Sequence, residues 1–110
     1  MPIKAEWVEF KLENIRALPA DLIGVYEVGY KRGSRIVYIG SGTIRSRLLM
    51  HKAKISFMGV THFRRRSINS VEGARNAEAR LIKEFCKLNN CKPPKLNTQK
   101  PKIVSGGWCT

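Results

Sequence analysis

Two segments rich in Val, Ile and Tyr, residues 24–31 (GVYEVGYK) and 35–40 (RIVYIG), flank a break at Arg32-Gly33-Ser34. β-Branched and aromatic residues favour the pleated backbone, and a short Gly-containing break reverses the chain, so this pair predicts a β-hairpin. An odd-numbered turn over Arg32, Gly33 and Ser34 places Val28 opposite Tyr38, with Tyr26 a diagonal neighbour on the same face. A hairpin alone is marginal in water, so the rest of the chain must cover it.

The remaining periodicity supplies that cover. Thr43 can cap a helix running to about Ile55, with Ile44, Leu48 and Ile55 as its core face and Gly59 ending the pattern. Residues 60–68 (VTHFRRRSI) read as a third strand that is basic along one side. Asn69, with Glu72 three residues later, fits the cap of a helix to about Leu88, whose apolar stripe is Ala74, Ala77, Leu81, Ile82 and Phe85. Pro93-Pro94 then forces an extended segment through Lys95-Leu96-Asn97. Ahead of the hairpin, residues 5–12 alternate in part and suggest a strand, followed by a turn or short helix ending at Pro19.

The expected fold is a small α/β sandwich, a central three-stranded antiparallel sheet flanked by helices in the order β-β-α-β-α. At 110 residues it is one domain, with an N-terminal extension over 1–21, a central module over 22–97 and a tail over 98–110.

Charge narrows the function. The net formal charge is +13, and no acidic residue lies between Glu27 and Glu72. Lys31, Arg32, Arg35, Arg45, Arg47, Lys52, Lys54, Arg64, Arg65 and Arg66 all fall there, and Lys87, Lys92, Lys95, Lys100 and Lys102 follow Glu84 with no acid among them. A surface kept only for solubility mixes signs; this one suits a polyanion. Arg35, Arg45, Lys52, Lys54, Arg64, Arg66 and Lys95 are the candidate nucleic-acid contacts. An anionic membrane fits less well, because the charges are spread over strands and loops rather than one amphipathic helix. No apolar run reaches the ~18 residues of a membrane span, and the start of the chain has no apolar signal core, so a cytoplasmic location is expected. Cys86, Cys91 and Cys109 are odd in number and lack CxxC spacing, which favours reduced structural thiols over zinc or a disulfide framework.

Helix periodicity exposes the polar residues that are out of place. Glu78 lies on the packing stripe of the second long helix, four residues from both Ala74 and Ile82. A carboxylate there needs a partner, either a basic side chain or a divalent cation, since hard cations take carboxylate oxygens. Arg47 and His51, four apart, stack along the edge of the first helix's core face, where neither can point fully to solvent. A guanidinium in that position suits a phosphate oxygen; equally, Arg47 can snorkel and His51 can be a satisfied core imidazole. Gly40-Ser41-Gly42-Thr43 can cradle a phosphate at a helix N-terminus or form a tight capped turn.

Taken together, these residues resemble the GIY-YIG nuclease family. Gly24-Val25-Tyr26, eleven residues and Tyr38-Ile39-Gly40 resemble its paired naming motif, with Val25 in place of Ile. Arg47 and His51 resemble its helix motif, Glu78 its metal-binding Glu, and Pro94-Lys95-Leu96-Asn97 its closing motif. The resemblance runs in order from about Leu22 to Asn97. It implies a DNA endonuclease with one divalent ion, Mg²⁺ or Mn²⁺, on Glu78. Tyr26, Tyr38, Arg47, His51, Glu78 and Asn97 would be its catalytic set: Tyr26 or Tyr38 handles the attacking water, Tyr26 with help from His51 being preferred. Arg47 neutralises developing charge, and Asn97 orients another group. A free phenol titrates near 10, so such a base needs help. The family usually joins this module to a separate targeting domain, so the enzyme here would be weakly specific for double- or single-stranded DNA, or recognise structure or single strands, or take its selectivity from a second copy or a specificity partner. The alternative reading is a basic nucleic-acid-binding module that no longer cuts.

Overall fold

The central hairpin strand is buried from both sides, which explains its near-continuous apolar sequence. In the computed structural model, which describes residues 6–30 and 35–97, this strand is β2 (Ile23–Tyr30). It pairs antiparallel with β3 (Arg35–Thr43) on one side and β4 (His62–Ser67) on the other. A two-residue strand β1 (Val8–Glu9) joins the outer edge of β4, giving a four-stranded antiparallel sheet in the order β1-β4-β2-β3. The α/β class matches expectation; the sheet has one strand more than the three anticipated.

That extra strand corrects the reading of residues 5–12. Only Val8 and Glu9 pair, and the chain turns at once into α1 (Leu12–Arg16). Phe10, Ile15 and Leu18 are buried in the main core, so this stretch packs with the rest of the domain.

Alternation along the strands divides the core into two layers. Tyr26, Val28, Val37 and Phe63 face α1 and α2 (Ile44–Lys52), and pack on Ile15, Ile44, Leu48 and Phe57. Val25 and Ile39 face α3 (Val71–Leu88), and pack on Ala77, Leu81, Ile82 and Cys86. Burying a side chain such as Leu48 or Ile82 contributes about 1.5–3 kcal/mol each, so both layers hold the sheet between them.

Several boundaries differ from the sequence reading, each for a local reason. Val28 does lie opposite Tyr38, but Tyr30 pairs with Arg35 and Gly29 with Ile36. A bulge at Val37 therefore sets the register of the two tyrosines, rather than the parity of a turn; residues 31–34 lie outside the described part. β3 continues to Thr43, so the Gly40-Ser41-Gly42-Thr43 stretch is strand and not a turn. Thr43 makes no side-chain cap, and α2 ends at Lys52. A 3₁₀ turn over Ile55–Phe57 follows, and it buries Phe57 while leaving Ile55 84% exposed. Ile55 is thus not a core residue; Phe57 takes the place assigned to it. The third helix is capped by Ser70, whose hydroxyl accepts from Gly73 N–H at 3.0 Å, one residue after the expected Asn69. It stops as anticipated near Leu88, where Asn90 at φ 56° turns the chain and Cys91 N–H donates to the Cys86 carbonyl at 2.8 Å.

Cys86 is buried and free, whereas Cys91 is disulfide-bonded, which corrects the expectation of reduced thiols throughout. The left-handed backbone at Cys91 carries it off the helix into an exposed position, where a thiol can be oxidised. Cys109 and the 98–110 tail lie outside the described residues. No helix among the described residues is long and apolar enough to cross a membrane.

Candidate active site

The end of β3 organises the site because its successive residues face opposite layers. β3 is an edge strand, and its outer edge is covered at Val37 and Ile39 by the segment after Pro94. Leu96 N–H donates to the Val37 carbonyl at 2.8 Å. The Asn97 amide accepts from Ile39 N–H and donates to the Ile39 carbonyl, each at 2.9 Å. Asn97 thus acts as one rung of a ladder, and both ends of its amide are taken up by backbone. It holds Tyr38-Ile39-Gly40 in place, which is a positioning role.

Beyond Ile39 the strand carries Gly40, Ser41 and Gly42, and each meets a different candidate residue. Tyr26 and Tyr38 pack over Gly40, their ring centroids 6.2 Å apart. A Cβ on Gly40 would sit 2.5 Å from both Tyr26 Cζ and Oη and 2.8 Å from Tyr38 Cε2, so only glycine admits the pair. On the opposite face the Ser41 hydroxyl donates to Glu78 Oε1. Gly42, at φ +120°, lies under Arg47, whose Nε would be 3.2 Å from a Cβ there. Four elements, β2, β3, α2 and α3, therefore bring Tyr26, Tyr38, Arg47, His51 and Glu78 around three residues of one strand end.

His51 closes the aromatic side. Its Nε2 is 2.8 Å from the Tyr26 hydroxyl, and its ring lies 4.6 Å from Tyr38 and stacks on Phe57 at 4.4 Å. Burial, with Lys54 and Arg47 nearby, holds it down to about 4, so it is neutral at physiological pH. Its Nδ1 is buried without a partner. A stranded N–H costs more than a stranded lone pair, which has other weak partners; the tautomer with the proton on Nε2 is therefore favoured, donating to Tyr26 Oη.

Burial also governs the acids. It pushes both phenols above their usual value of 10; Tyr38 adds to the effect at Tyr26 and Glu78 at both, while Arg47 opposes it. Glu78 is half-buried, and desolvation raises its carboxyl despite Ser41, Arg47 and Arg75. Desolvation of both tyrosines and Glu78 thus outweighs the opposing pull of Arg47.

Arg47 departs from the sequence reading. It is exposed rather than pinned against the core, while His51 is 2% exposed. No ion pair within 4.0 Å joins Arg47 to Glu78; the ion pairs among the described residues are Lys11–Glu9 and Arg64–Glu27. The guanidinium lies at the rim, free to reach a ligand.

Among the candidate nucleic-acid contacts, Arg64 is corrected. Its Nε donates to the buried Glu27 carboxylate at 2.7 Å, and its guanidinium lies 4.3 Å from the Trp7 ring centroid, so it is committed inside the fold. Arg35, Lys52, Lys54, Arg66 and Lys95 are exposed and Arg45 is half-exposed. Lys52 also lies over the Phe10 ring at 5.0 Å. The sequence reading missed Phe57 as the wall behind His51, and placed Ser41 in a phosphate cradle or a capped turn rather than beside Glu78. The alternation that puts Ile39 toward α3 would have placed Ser41 there too, had β3 been extended to Thr43.

The His51 environment predicts a pH effect on stability. A histidine depressed from 6.5 to about 4 binds fewer protons folded than unfolded, so its contribution is present above 6.5 and is lost as pH falls toward 4. Thermal unfolding from pH 4 to 7 should show wild type losing stability on the acid side more steeply than His51→Gln. Parallel curves would contradict the buried neutral imidazole.

No curated protein and no solved structure matches the chain. A family model described as a domain of unknown function, DUF7508, matches residues 1–86, and the chain belongs to that family.

Proposed function

We propose that the protein is a metal-dependent endonuclease that hydrolyses DNA phosphodiester bonds through a GIY-YIG-type site. The observation that carries this reading is the meeting of two phenols, an imidazole, a free guanidinium and a carboxylate around one strand end. Packing alone has no use for that combination beside a strongly basic surface.

The donor set fits a hard divalent ion. Among the described residues no group of three or more His, Cys, Asp or Glu could cage a metal, but Mg²⁺ and Mn²⁺ sites need only one or two carboxylates, with water and substrate phosphate completing the shell. Glu78 would hold the ion with Ser41 beside it, and a bound ion supplies Lewis-acid polarisation of the phosphate and positive charge that favours ionisation of the phenols. Arg47, exposed over Gly42, binds the phosphate and stabilises the charge that grows on its oxygens. Tyr26 Oη would orient the attacking water; once its own proton has passed to solvent, the phenolate, held by the His51 Nε2–H donor, would take the water's proton and return to the neutral phenol. Tyr38 packs beside it and excludes bulk water from that face. Asn97 keeps the strand end in register.

Incubation with supercoiled plasmid and with single-stranded DNA tests this reading. Nicking is expected with Mg²⁺ or Mn²⁺ and none with EDTA. In EDTA, DNA affinity should fall steeply with salt, with a log–log slope of about −0.9 per phosphate contacted. Salt-sensitive binding without cleavage in any metal would replace this reading with that of a binding module, and binding insensitive to salt would sink both.

A further inference from the structure

We propose that Ile55 and Met58 form an apolar wedge that inserts between base pairs of bound duplex DNA, so that the protein prefers duplexes whose steps unstack easily, such as mismatched ones. This deepens the nuclease reading and rests on it for the identity of the polyanion. Ile55 is 84% and Met58 75% exposed, the two on one short loop. The loop is not slack. Lys54 N–H donates to the His51 carbonyl at 2.9 Å, Phe57 N–H to Lys54 at 3.1 Å, Met58 N–H to Ile55 at 3.0 Å and Val60 N–H to Phe57 at 3.2 Å. Successive turns therefore present both side chains from a fixed frame, and Phe57 between them is buried.

The setting favours DNA as the occupant. Lys52 and Lys54, both exposed, precede the loop, and no acidic residue lies anywhere from Val28 to Val71. An apolar tip with cationic flanks matches a base stack bordered by phosphates. The loop is also continuous with the candidate site, because the Phe57 ring stacks on His51 at 4.4 Å and meets Tyr38 at 5.4 Å. A wedge seated here enters the duplex on the His51 and Tyr38 side of the candidate site. Apolar side chains of this kind unstack and kink DNA, and unstacking costs least at a mispaired base, a difference that yields the preference.

The test uses full-length protein in EDTA, so binding is read without cleavage. Duplexes carry 2-aminopurine at successive positions, with and without a neighbouring mismatch. Wild type should bind the mismatched duplex about tenfold more tightly than the perfect one and brighten 2-aminopurine near the mismatch. Ile55→Ser/Met58→Ser should lose the brightening and bring the ratio close to one, with its salt slope on perfect duplex unchanged. Unfolding midpoints within a degree or two of wild type would confirm that the variant is folded. An unchanged ratio, or no brightening with wild type, overturns the wedge. So does a loss by the variant of binding to anionic phospholipid vesicles, or a change in its oligomeric state, with DNA binding unaltered. Plasmid cleavage is scored separately: a wedge without cleavage would sink the nuclease reading alone, and cleavage without a wedge would sink this inference alone.

Discussion

Glu78→Gln is expected to lower metal-dependent cleavage by about 10³-fold or more, because losing a metal's several kcal/mol of transition-state stabilisation costs a factor of ten per 1.36 kcal/mol. The fold should not suffer. Glutamine keeps the shape and an oxygen for the Ser41 hydroxyl. Burial already raises the Glu78 carboxyl, so the folded protein binds its proton more tightly than the unfolded chain. Such a group favours folding below its unfolded value, and this contribution is lost as pH rises through the raised one. Without metal at neutral pH, Glu78→Gln should therefore be as stable as wild type or slightly more so, and Mg²⁺ should raise the midpoint of wild type but not of this variant. DNA binding in EDTA should hold or tighten, since a negative charge leaves a site that faces phosphate. Arg47→Ala should lose about 10²–10³-fold in cleavage by removing a donor to the developing charge, while keeping the Mg²⁺-dependent rise in midpoint. Being exposed and unpaired with Glu78, Arg47 should cost less than about 0.5 kcal/mol of stability when truncated. Two variants each destabilised by about 3–5 kcal/mol would instead mean a buried Arg47–Glu78 pair, and would remove the basis for an active site.

The parts of this structure that were legible in advance are those written in local periodicity. The hairpin, the long third helix and the β-β-α-β-α order all follow from alternation, apolar stripes and Gly or Pro breaks. Glu78 stood out because a carboxylate interrupted an apolar stripe. What could not be read depended on neighbours distant in sequence. The bulge at Val37 sets the tyrosine register, and its carbonyl is taken by Leu96, 59 positions along the chain. Arg64 looked like any other basic side chain until Glu27 and Trp7 were found around it. Phe57 replaced Ile55 in the core because the chain leaves the α-helix at Lys52 and tightens into a 3₁₀ turn, which rotates every later side chain. Asn97 was placed in the catalytic set by resemblance; the hydrogen bonds it makes to Ile39 show a narrower, structural use of the same residue.

Gly40→Ala should be nearly as damaging to cleavage as removing the Tyr26 hydroxyl itself, although alanine adds a single carbon. That carbon would lie 2.5 Å from Tyr26 Cζ and Oη and 2.8 Å from Tyr38 Cε2, too close for any real contact. Neither ring can move away freely: Tyr26 is 1% exposed and tied to His51, and Tyr38 is packed against His51 and Phe57. The substitution should cost about 1–3 kcal/mol of stability as an overpacked site. A displacement of roughly 1 Å at the reacting group costs about 10²-fold in rate. Tyr26→Phe gives the reference, an expected loss of about 10²–10⁴-fold for a proton-transfer group, with the ring still packed. The double variant separates steric from chemical roles. Removing Oη relieves one of the two short contacts on Tyr26 but leaves Cζ, so the activity losses should fall well short of additive while part of the stability cost returns. Gly40→Ala with wild-type activity and midpoint would show that the two tyrosines do not close over this strand, and the arrangement proposed for catalysis would fall with it.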